Sequence, residues 1–295
     1  MIKSAGTQNV KLQINFEELM SRLLNLLSDK EQDVIKRRFS LHGKRKETLD
    51  KIGKSFSITR ERVRQIEAVA LKKLARISMD PTIQQIHNLA VEILETNGQV
   101  MSEDSLVSEM LKNFDDSSHI EVNTMKLAMR VSDRLVKQEK NQFYRAFWRL
   151  SGISLLSVKN SIKEIQVVLK RQKEIMSVEE ITETLPTPIA QERVDSLLYV
   201  DWGFMNVEAN QWGLTTWRHI NPRSIKDKIM IIFKEEGKPL HFSDVANRVL
   251  NDFNGKKQVT RQAIHNELIR HQEFVLVGRG LYGLKEWGMA AGTVR

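Results

Sequence analysis

A repeated layout that fills the last three quarters of the chain restricts the fold most. Three successive segments each show the pattern of three helices followed by a short hairpin, and they cover 79–152, 153–221 and 222–290. The tryptophans near their ends, Trp148, Trp217 and Trp287, lie 69 and 70 residues apart. A fixed period with one supersecondary unit per repeat is typical of an array of small domains. We therefore expect tandem winged-helix domains, with each tryptophan packed under its wing.

The last segment shows this pattern most clearly. Four apolar residues fall on one face of its first helix: Ile225, Ile229, Ile232 and Phe233. Gly237 stops that helix, and the second and third helices begin at Ser243 and Thr260. Two apolar runs, at 274–277 and 281–284, then flank a glycine-containing turn, which predicts a β-hairpin wing.

The two earlier segments follow the same order with more divergence. In the middle one, Ser177 and Glu180 form a capping box that starts the second helix. In the first one, we expect the third helix over 123–136 and a short hairpin over 140–148.

The N-terminal segment, residues 1–78, has a different pattern. Apolar residues at helical spacing predict one helix, and Ser28 with Glu31 forms a capping box for the next. After a basic loop, Thr48 caps a short helix and Thr59 caps a longer one. A short helix, a tight turn and a longer helix predict a helix-turn-helix. The expected architecture is therefore mainly α with small β-hairpin wings, an N-terminal helix-turn-helix followed by tandem winged-helix domains.

The longer helix has two contrasting faces. Its apolar stripe consists of Val63, Ile66, Ala70 and Leu74. On the opposite face, Arg64 can donate two hydrogen bonds to guanine, Gln65 can pair with adenine, and Glu61 can accept from cytosine. These side chains predict DNA reading in the major groove. The candidate DNA-binding residues are Thr59, Arg60, Glu61, Arg62, Arg64, Gln65 and Lys72 on or beside this helix, and Lys44, Arg45 and Lys46 in the basic loop.

The net charge of +9 is concentrated around this helix-turn-helix. Residues 28–78 hold 15 Lys+Arg against 7 Asp+Glu, whereas residues 79–295 hold 28 of each. A focused positive patch is the electrostatic footprint of a nucleic-acid partner. Residues 224–287 hold 11 basic and 8 acidic residues, so the last domain is also able to touch DNA. Residues 79–223 hold 16 and 20, which favours a spacer or a protein-binding surface.

The stretch "TLDKIGKSFSITRERVRQIEAVALKKLAR" (48–76) resembles region 4 of the primary sigma factor family of bacterial RNA polymerase. The preceding "LLSDKEQDVIKRRFSL" resembles the first half of that region. The resemblance implies that the start of the long helix reads the upstream promoter hexamer through Arg60, Glu61, Arg64 and Gln65. It also implies that residues 14–40 present an apolar groove to the flap of the polymerase β subunit. Ser40 and Ser57 stand where the family usually has glycine, and Lys51 where it usually has an acidic residue.

A second resemblance lies further along the chain. The stretches "NQWGLTTW" (210–217) and "GLYGLKEW" (280–287) are similar to the HARE-type winged helix, which is also the folded domain of the delta subunit of bacterial RNA polymerase. The acidic tail of that subunit has no counterpart in the final "GMAAGTVR". Together the two resemblances imply RNA polymerase as a common partner.

The sequence has no features of a secreted, membrane-spanning, metal-binding or catalytic protein. The absence of cysteine excludes disulfides and thiolate metal sites and fits a reducing cytoplasm. The first twenty residues lack the apolar core of a signal peptide, and no run of about 18 apolar residues suggests a membrane span. The seven histidines show no metal spacing, and neither a phosphate loop nor a Ser-His-Asp pattern occurs. We therefore expect a cytoplasmic, nucleoid-associated protein that is not an enzyme and needs no cofactor or metal.

The sequence thus predicts a bacterial or phage transcription regulator that docks on double-stranded promoter-like DNA, on the RNA polymerase core through its β flap, or on both. Only 27 residues precede the basic segment, and nothing after it resembles a promoter-melting region, so we do not expect a complete sigma factor. Two alternatives stay open. One is a freestanding sequence-specific DNA-binding repressor, and the other is a non-catalytic subunit of a DNA-modification or defence complex.

Overall fold

The computed structural model describes residues 11–43, 45–114, 122–253 and 259–289. As predicted, the protein is mainly α-helical with small antiparallel sheets. It divides into two compact units, residues 1–202 and 203–295. In the described part, none of the helices combines the length and apolar character that crossing a membrane requires.

Unit 1 begins with four helices, α1 (Phe16–Asn25), α2 (Asp29–Phe39), α3 (Leu49–Phe56) and α4 (Arg60–Leu74). Their starts follow the predicted capping chemistry. Ser28 and Glu31 form the capping box of α2, and the hydroxyl groups of Thr48 and Thr59 accept hydrogen bonds from the first turns of α3 and α4. Because these caps satisfy backbone N–H groups that have no partner inside the helix, they fix where each helix starts.

The rest of unit 1 contains two further groups of elements. The first comprises α5 (Pro81–Thr96), β1 (Val100–Ser102), α6 (Glu103–Leu111), α7 (Val122–Arg130), β2 (Leu135–Gln138) and β3 (Phe147–Leu150). The second comprises α8 (Leu155–Gln172), β4 (Met176–Ser177), α9 (Val178–Thr184) and α10 (Gln191–Val200). The predicted capping box of Ser177 and Glu180 starts α9. Strands β1, β3 and β2 form one antiparallel sheet in that order.

The hairpin of the first group differs from the prediction. Helix α7 ends at Arg130 instead of continuing to 136, because the Ser132 hydroxyl accepts a hydrogen bond from the Arg134 N–H (3.3 Å) and forms a turn. The following residues then pair with β3, with Leu135 opposite Leu150. The hairpin therefore begins well before the predicted segment 140–148.

Unit 2 contains β5 (Phe204–Glu208), β6 (Gln211–Leu214), α11 (Ile225–Glu236), β7 (Leu240–His241), α12 (Phe242–Asp252), α13 (Arg261–Arg270), β8 (Phe274–Gly278) and β9 (Leu281–Leu284). Strands β5 and β6 form an antiparallel hairpin. The last three helices pack in one core with an antiparallel sheet whose strand order is β7-β9-β8. This is the winged-helix arrangement predicted for the last segment. Gly237 ends α11 with a φ of 64°, and Thr260 caps α13, as predicted. Helix α12 starts at Phe242, one residue before the predicted Ser243.

The three closing tryptophans are not equivalent. Trp148 lies inside β3 and is only 1% exposed, whereas Trp217 and Trp287 lie three residues beyond β6 and β9 and are partly buried. The residues that share the strand position of Trp148 are Trp212 and Tyr282. Trp148 and Trp217, although 69 residues apart, therefore do not occupy equivalent positions in their segments.

Within unit 1, the N-terminal helices share one core with the group that follows them. The buried apolar residues of α1 are Phe16, Leu19, Met20, Leu23 and Leu24, and they belong to the same cluster as residues of α5 and α7. The rings of Phe16 and Phe114 lie 5.7 Å apart, and Arg22 pairs with Asp80 at 2.7 Å. The core is thus continuous across the predicted boundary between 78 and 79. The division into 1–78, 79–152, 153–221 and 222–290 stays a prediction.

Candidate nucleic-acid interface

The helix-turn-helix formed by α3 and α4 shares a small core with α2. That core consists of Val34, Ile52, Val63 and Ile66. The crossing of α3 with the turn depends on Gly53, because a Cβ there would lie 2.7 Å from the carbonyl oxygen of Ile58. The N–H of Ile58 donates to the Gly53 carbonyl at 2.9 Å. Gly53 therefore allows the turn to pass close to α3.

Two serines adopt a backbone conformation that favours glycine. Ser57, between α3 and α4, has a φ of 54°, and Ser40, at the end of α2, has a φ of 59°. Glycine reaches this left-handed region without the steric cost that a Cβ brings. Ser40 and Ser57, which stand where the region 4 pattern has glycine, are therefore strained residues at the ends of α2 and α3.

Helix α4 has the two faces that the sequence predicts. Its stripe of Val63, Ile66, Ala70 and Leu74 is buried. All of the candidate residues on α4 and at its cap are exposed, namely Thr59, Arg60, Glu61, Arg62, Arg64, Gln65 and Lys72. The structure thus presents on one helix the arginine, glutamine and carboxylate groups that can recognise base edges in the major groove.

The side chains at the start of α4 are held by bonds along the helix. Arg64 donates to both carboxylate oxygens of Glu61, at 2.8 and 2.6 Å, and Arg62 donates to Gln65 Oε1 at 3.1 Å. The Arg64 guanidinium keeps the pKa of the Glu61 carboxyl below its usual range. Because a fully exposed ion pair contributes little free energy, contacts with bases can replace this pairing.

Local carboxylates around the helix-turn-helix are already paired. Glu47 lies 3.3 Å from Lys51, and Glu67 lies 3.0 Å from Arg38. Among the described residues of this segment, the basic side chains that make no ion pair within 4 Å include Arg45, Lys46, Lys54, Lys72 and Arg76. The excess positive charge is therefore available to phosphate groups. Of the three predicted loop contacts, Arg45 and Lys46 are exposed, and Lys44 lies outside the described residues.

Two ion pairs that the sequence did not reveal hold α4 in place. Lys73 pairs with Glu31 at 2.8 Å, and Arg38 pairs with Glu67 at 3.0 Å, so both pairs join α2 to α4. The hydrogen bond from Lys73, with that from the Ser28 backbone, lowers the pKa of the Glu31 carboxyl. The capping-box pattern indicated a local role for Glu31, whereas its bond to Lys73 spans 42 positions and has no local signal.

The apolar groove expected over residues 14–40 is not open. Leu19, Leu23 and Ile35 have no exposed surface, and α7 packs against both α1 and α2. Asn123 of α7 also donates to the carbonyl oxygen of Ser40 at 3.0 Å. The sequence-based prediction assumed that residues 1–78 form a separate domain, so the apolar face of α1 and α2 was expected to bind another protein. In the structure, the chain itself covers it.

Comparison with known proteins finds a family match over the helix-turn-helix. Residues 23–76 match the family described as "Sigma-70, region 4". The RNA polymerase sigma factor SigA of Lactococcus lactis subsp. cremoris is 46% identical over 61 residues, which are 21% of this chain and 17% of that protein. SigA of Clostridium acetobutylicum is 48% identical over 58 residues, which are 20% of this chain and 15% of that protein. The chain thus spans about one sixth of the length of these relatives.

Proposed function

With a sigma-70 region 4 domain at residues 23–76 as the premise, we propose that the chain is a DNA-binding transcription regulator that acts on promoter-like DNA together with RNA polymerase. The observation that carries this proposal is the exposed face of α4, where Arg64 and Gln65 stand in the segment that matches the family. The protein acts in the cytoplasm, at the nucleoid, without catalytic chemistry of its own.

The proposed DNA contacts divide into two kinds. Arg64 reads guanine and Gln65 reads adenine in the major groove, and these contacts give sequence preference. Arg45, Lys46 and Lys72 bind phosphate groups, and these contacts give affinity without sequence information. Lys73 and Arg38 act behind the helix, since they fix its position through Glu31 and Glu67.

The proposed role at polymerase is that of a modulator. The matches to SigA cover 61 and 58 residues of this chain. In this proposal the chain acts on a polymerase that already carries a sigma factor, or it complements a separate melting subunit. The resemblance of 280–287 to the HARE-type domain of the delta subunit supports the same partner. Because α7 covers the apolar face of α1 and α2, docking on the β flap by that face requires α7 to move.

Binding-site selection from a random duplex library tests the reading role of α4. Replacing Arg64 by alanine should relax the base preference at one position of the site and weaken binding to the best site by about 1–3 kcal/mol. Arg171→Ala removes an equally charged, exposed side chain on α8 and serves as the matched control. An unchanged sequence preference in Arg64→Ala would rule out base reading by this residue.

Transcription with purified polymerase tests the second part of the proposal. Core enzyme with this chain alone should not start transcription at specific sites, whereas the full chain should co-purify with core enzyme or with the sigma-bound enzyme. Specific initiation by the chain and core enzyme alone would refute the modulator role.

A second candidate function is a freestanding DNA-binding repressor. The observation that favours it is the burial of Leu19, Leu23 and Ile35 beneath the chain's own α7, which covers the face of α1 and α2 that was expected to meet the polymerase. Selective DNA binding by the full chain, combined with failure to bind either form of polymerase, would make this the better account.

A further inference from the structure

We infer that an exposed aromatic patch in unit 1 binds single-stranded nucleic acid. The patch consists of Phe143, Tyr199 and Trp202. It lies where the loop between β2 and β3 meets the end of α10, outside the region 4 match. The inference goes beyond the proposed function, in which α4 contacts duplex DNA, because it concerns a strand whose bases are unpaired.

Exposed aromatic rings are concentrated at this one place. Among the described Phe, Tyr and Trp residues, those that are exposed are Phe143, Tyr199 and Trp202, at 59%, 44% and 39%. Within the described residues 139–146 and 199–202, no aliphatic side chain is exposed. The apolar surface that solvent meets here therefore consists of planar rings, which suit stacking with bases.

Backbone pairing sets two of the rings side by side. Tyr144 and Asp201 form an antiparallel bridge, and the Trp202 N–H donates to the Phe143 carbonyl at 2.9 Å. Phe143 and Trp202 therefore stand directly opposite each other, and such cross-strand neighbours project to the same side with Cβ atoms about 5 Å apart. Two adjacent rings on one side can stack with successive bases of a strand.

Hydrogen bonds fix the loop that carries Phe143. Asn141 Oδ1 accepts a hydrogen bond from the Phe143 N–H at 2.8 Å. The Arg145 guanidinium donates to the carbonyl oxygens of Tyr199 and Asp201, at 3.0 and 2.9 Å, and so fastens the loop to the end of α10. Because these bonds already hold the rings in place, binding a strand costs little conformational entropy.

Cations lie beside the rings. The Arg145 guanidinium lies 4.3 Å from the centre of the Trp202 ring, and Lys140 Nζ lies 5.7 Å from it. Lys140 is exposed and makes no ion pair with any described residue. Residues 134–149 hold 5 Lys+Arg and one acidic residue, whereas residues 79–223 hold 16 basic and 20 acidic residues. The hairpin is thus a local positive surface that matches the phosphates of a strand.

The occupant that fits both observations is a single strand. Rings with cations beside them bind strands with little sequence preference, since every base has a flat face to stack. In a duplex those faces are stacked on each other, so the patch cannot reach them. The α4 helix and the aromatic patch would therefore recognise different forms of nucleic acid.

Titration of the full chain with a fluorescent oligo(dT) of about 12 nucleotides tests the inference, because it offers α4 no duplex to read. Phe143→Leu with Trp202→Leu keeps apolar surface but removes the rings, and should weaken binding about tenfold or more. Phe143→Tyr with Trp202→Tyr keeps planar rings and should retain most of the affinity. Leu156→Ala with Val167→Ala removes two exposed apolar side chains of α8 and should leave binding unchanged. Lys140→Gln should flatten the salt dependence by about one phosphate contact.

Phe143 is the most exposed of the rings, so Phe143→Leu alone should show part of the loss without disturbing the fold. A parallel titration with oligo(U) separates RNA from DNA as the source of the strand, and binding of either that depends on the rings supports the inference. Unchanged binding in the double leucine variant, at the wild-type melting temperature, would overturn it. Failure of the wild type to bind both oligonucleotides would do the same.

Two further outcomes separate this inference from other accounts. If the double leucine variant binds both oligonucleotides normally but no longer co-purifies with polymerase, the patch binds a protein and the inference is overturned. A chain with Arg64→Ala and Gln65→Ala should lose its preference among duplexes, while its binding to oligo(dT) should still depend on the rings. Failure of the α4 proposal and failure of this inference therefore give different results.

Discussion

Helices α4 and α7 lie in neighbouring parts of unit 1, yet their outer faces differ in exposure. Helix α4 buries one stripe and exposes its charged face, whereas every residue of α7 is buried or half-buried. The difference arises from what lies over them, since α7 is enclosed by α1, α2 and α5. A helix can therefore read DNA only if no other part of the chain covers its outer face.

The largest difference should appear when a matched truncation is made in each helix. Leu127 of α7 is fully buried, so Leu127→Ala should lower the free energy of unfolding by about 2–5 kcal/mol. Val69 of α4 is 50% exposed, so Val69→Ala should change it by about 0.5 kcal/mol or less. Urea denaturation of both variants measures these values. Similar losses at the two sites would show that α7 is not the enclosed helix described above.

The basic loop that precedes α3 should raise the affinity for DNA of any sequence, whereas α4 should give base preference. Replacing Lys44, Arg45 and Lys46 by alanine should weaken binding to all duplexes about equally and flatten the salt dependence by up to ~3 phosphate contacts. Titrations on selected and random duplexes at several salt concentrations measure this. A changed base preference with an unchanged salt dependence would assign the loop a reading role instead.

The enclosed helix should also make stability depend on pH. His87 is buried, its Nε2 donates to the Ala128 carbonyl of α7 at 2.8 Å, and burial lowers its pKa. The unfolded chain takes up a proton near pH 6.5, whereas the folded chain takes it up only at a lower pH. The free energy of unfolding should therefore fall as the pH falls below that value, by up to about 1.4 kcal/mol per pH unit from this group.

The variant His87→Gln keeps a donor for the Ala128 carbonyl but cannot titrate. Denaturation at pH 7.5 and 5.5 should show a smaller pH effect in this variant than in the wild type. Equal pH effects in the two proteins would mean that His87 is protonated as easily in the folded chain as in the unfolded one.

The smallest expected effects concern the strained serines at the ends of α2 and α3. Ser40→Gly and Ser57→Gly should each stabilise the fold by about 0.5–1 kcal/mol, because glycine relieves the left-handed conformation. Ser78→Gly is the control, since its φ of −56° gives glycine no advantage and should make the change neutral or destabilising. Thermal melting of the three variants ranks them, and destabilisation by Ser57→Gly would contradict the strain argument.

Local chemistry explains what the sequence could predict. Caps such as Ser28 with Glu31, the two faces of α4, and the last hairpin each depend on residues a few positions apart. The cover that α7 places on α1 depends on contacts between residues about a hundred positions apart, for which periodicity carries no signal. One composition signal does exist: α7 carries only two charged residues, Lys126 and Arg130, which suits an enclosed helix.

The central claim is that the exposed face of α4 contacts DNA, and thiol labelling tests it most directly because the chain has no cysteine. Ala68→Cys places one thiol on the exposed face of α4, and Glu95→Cys places one on an exposed position of α5 as a control. In the free protein, both thiols should react rapidly with a maleimide. Saturation with a selected duplex should slow the reaction at position 68 and leave position 95 unchanged. Equal reactivity at position 68 with and without bound DNA would contradict the claim.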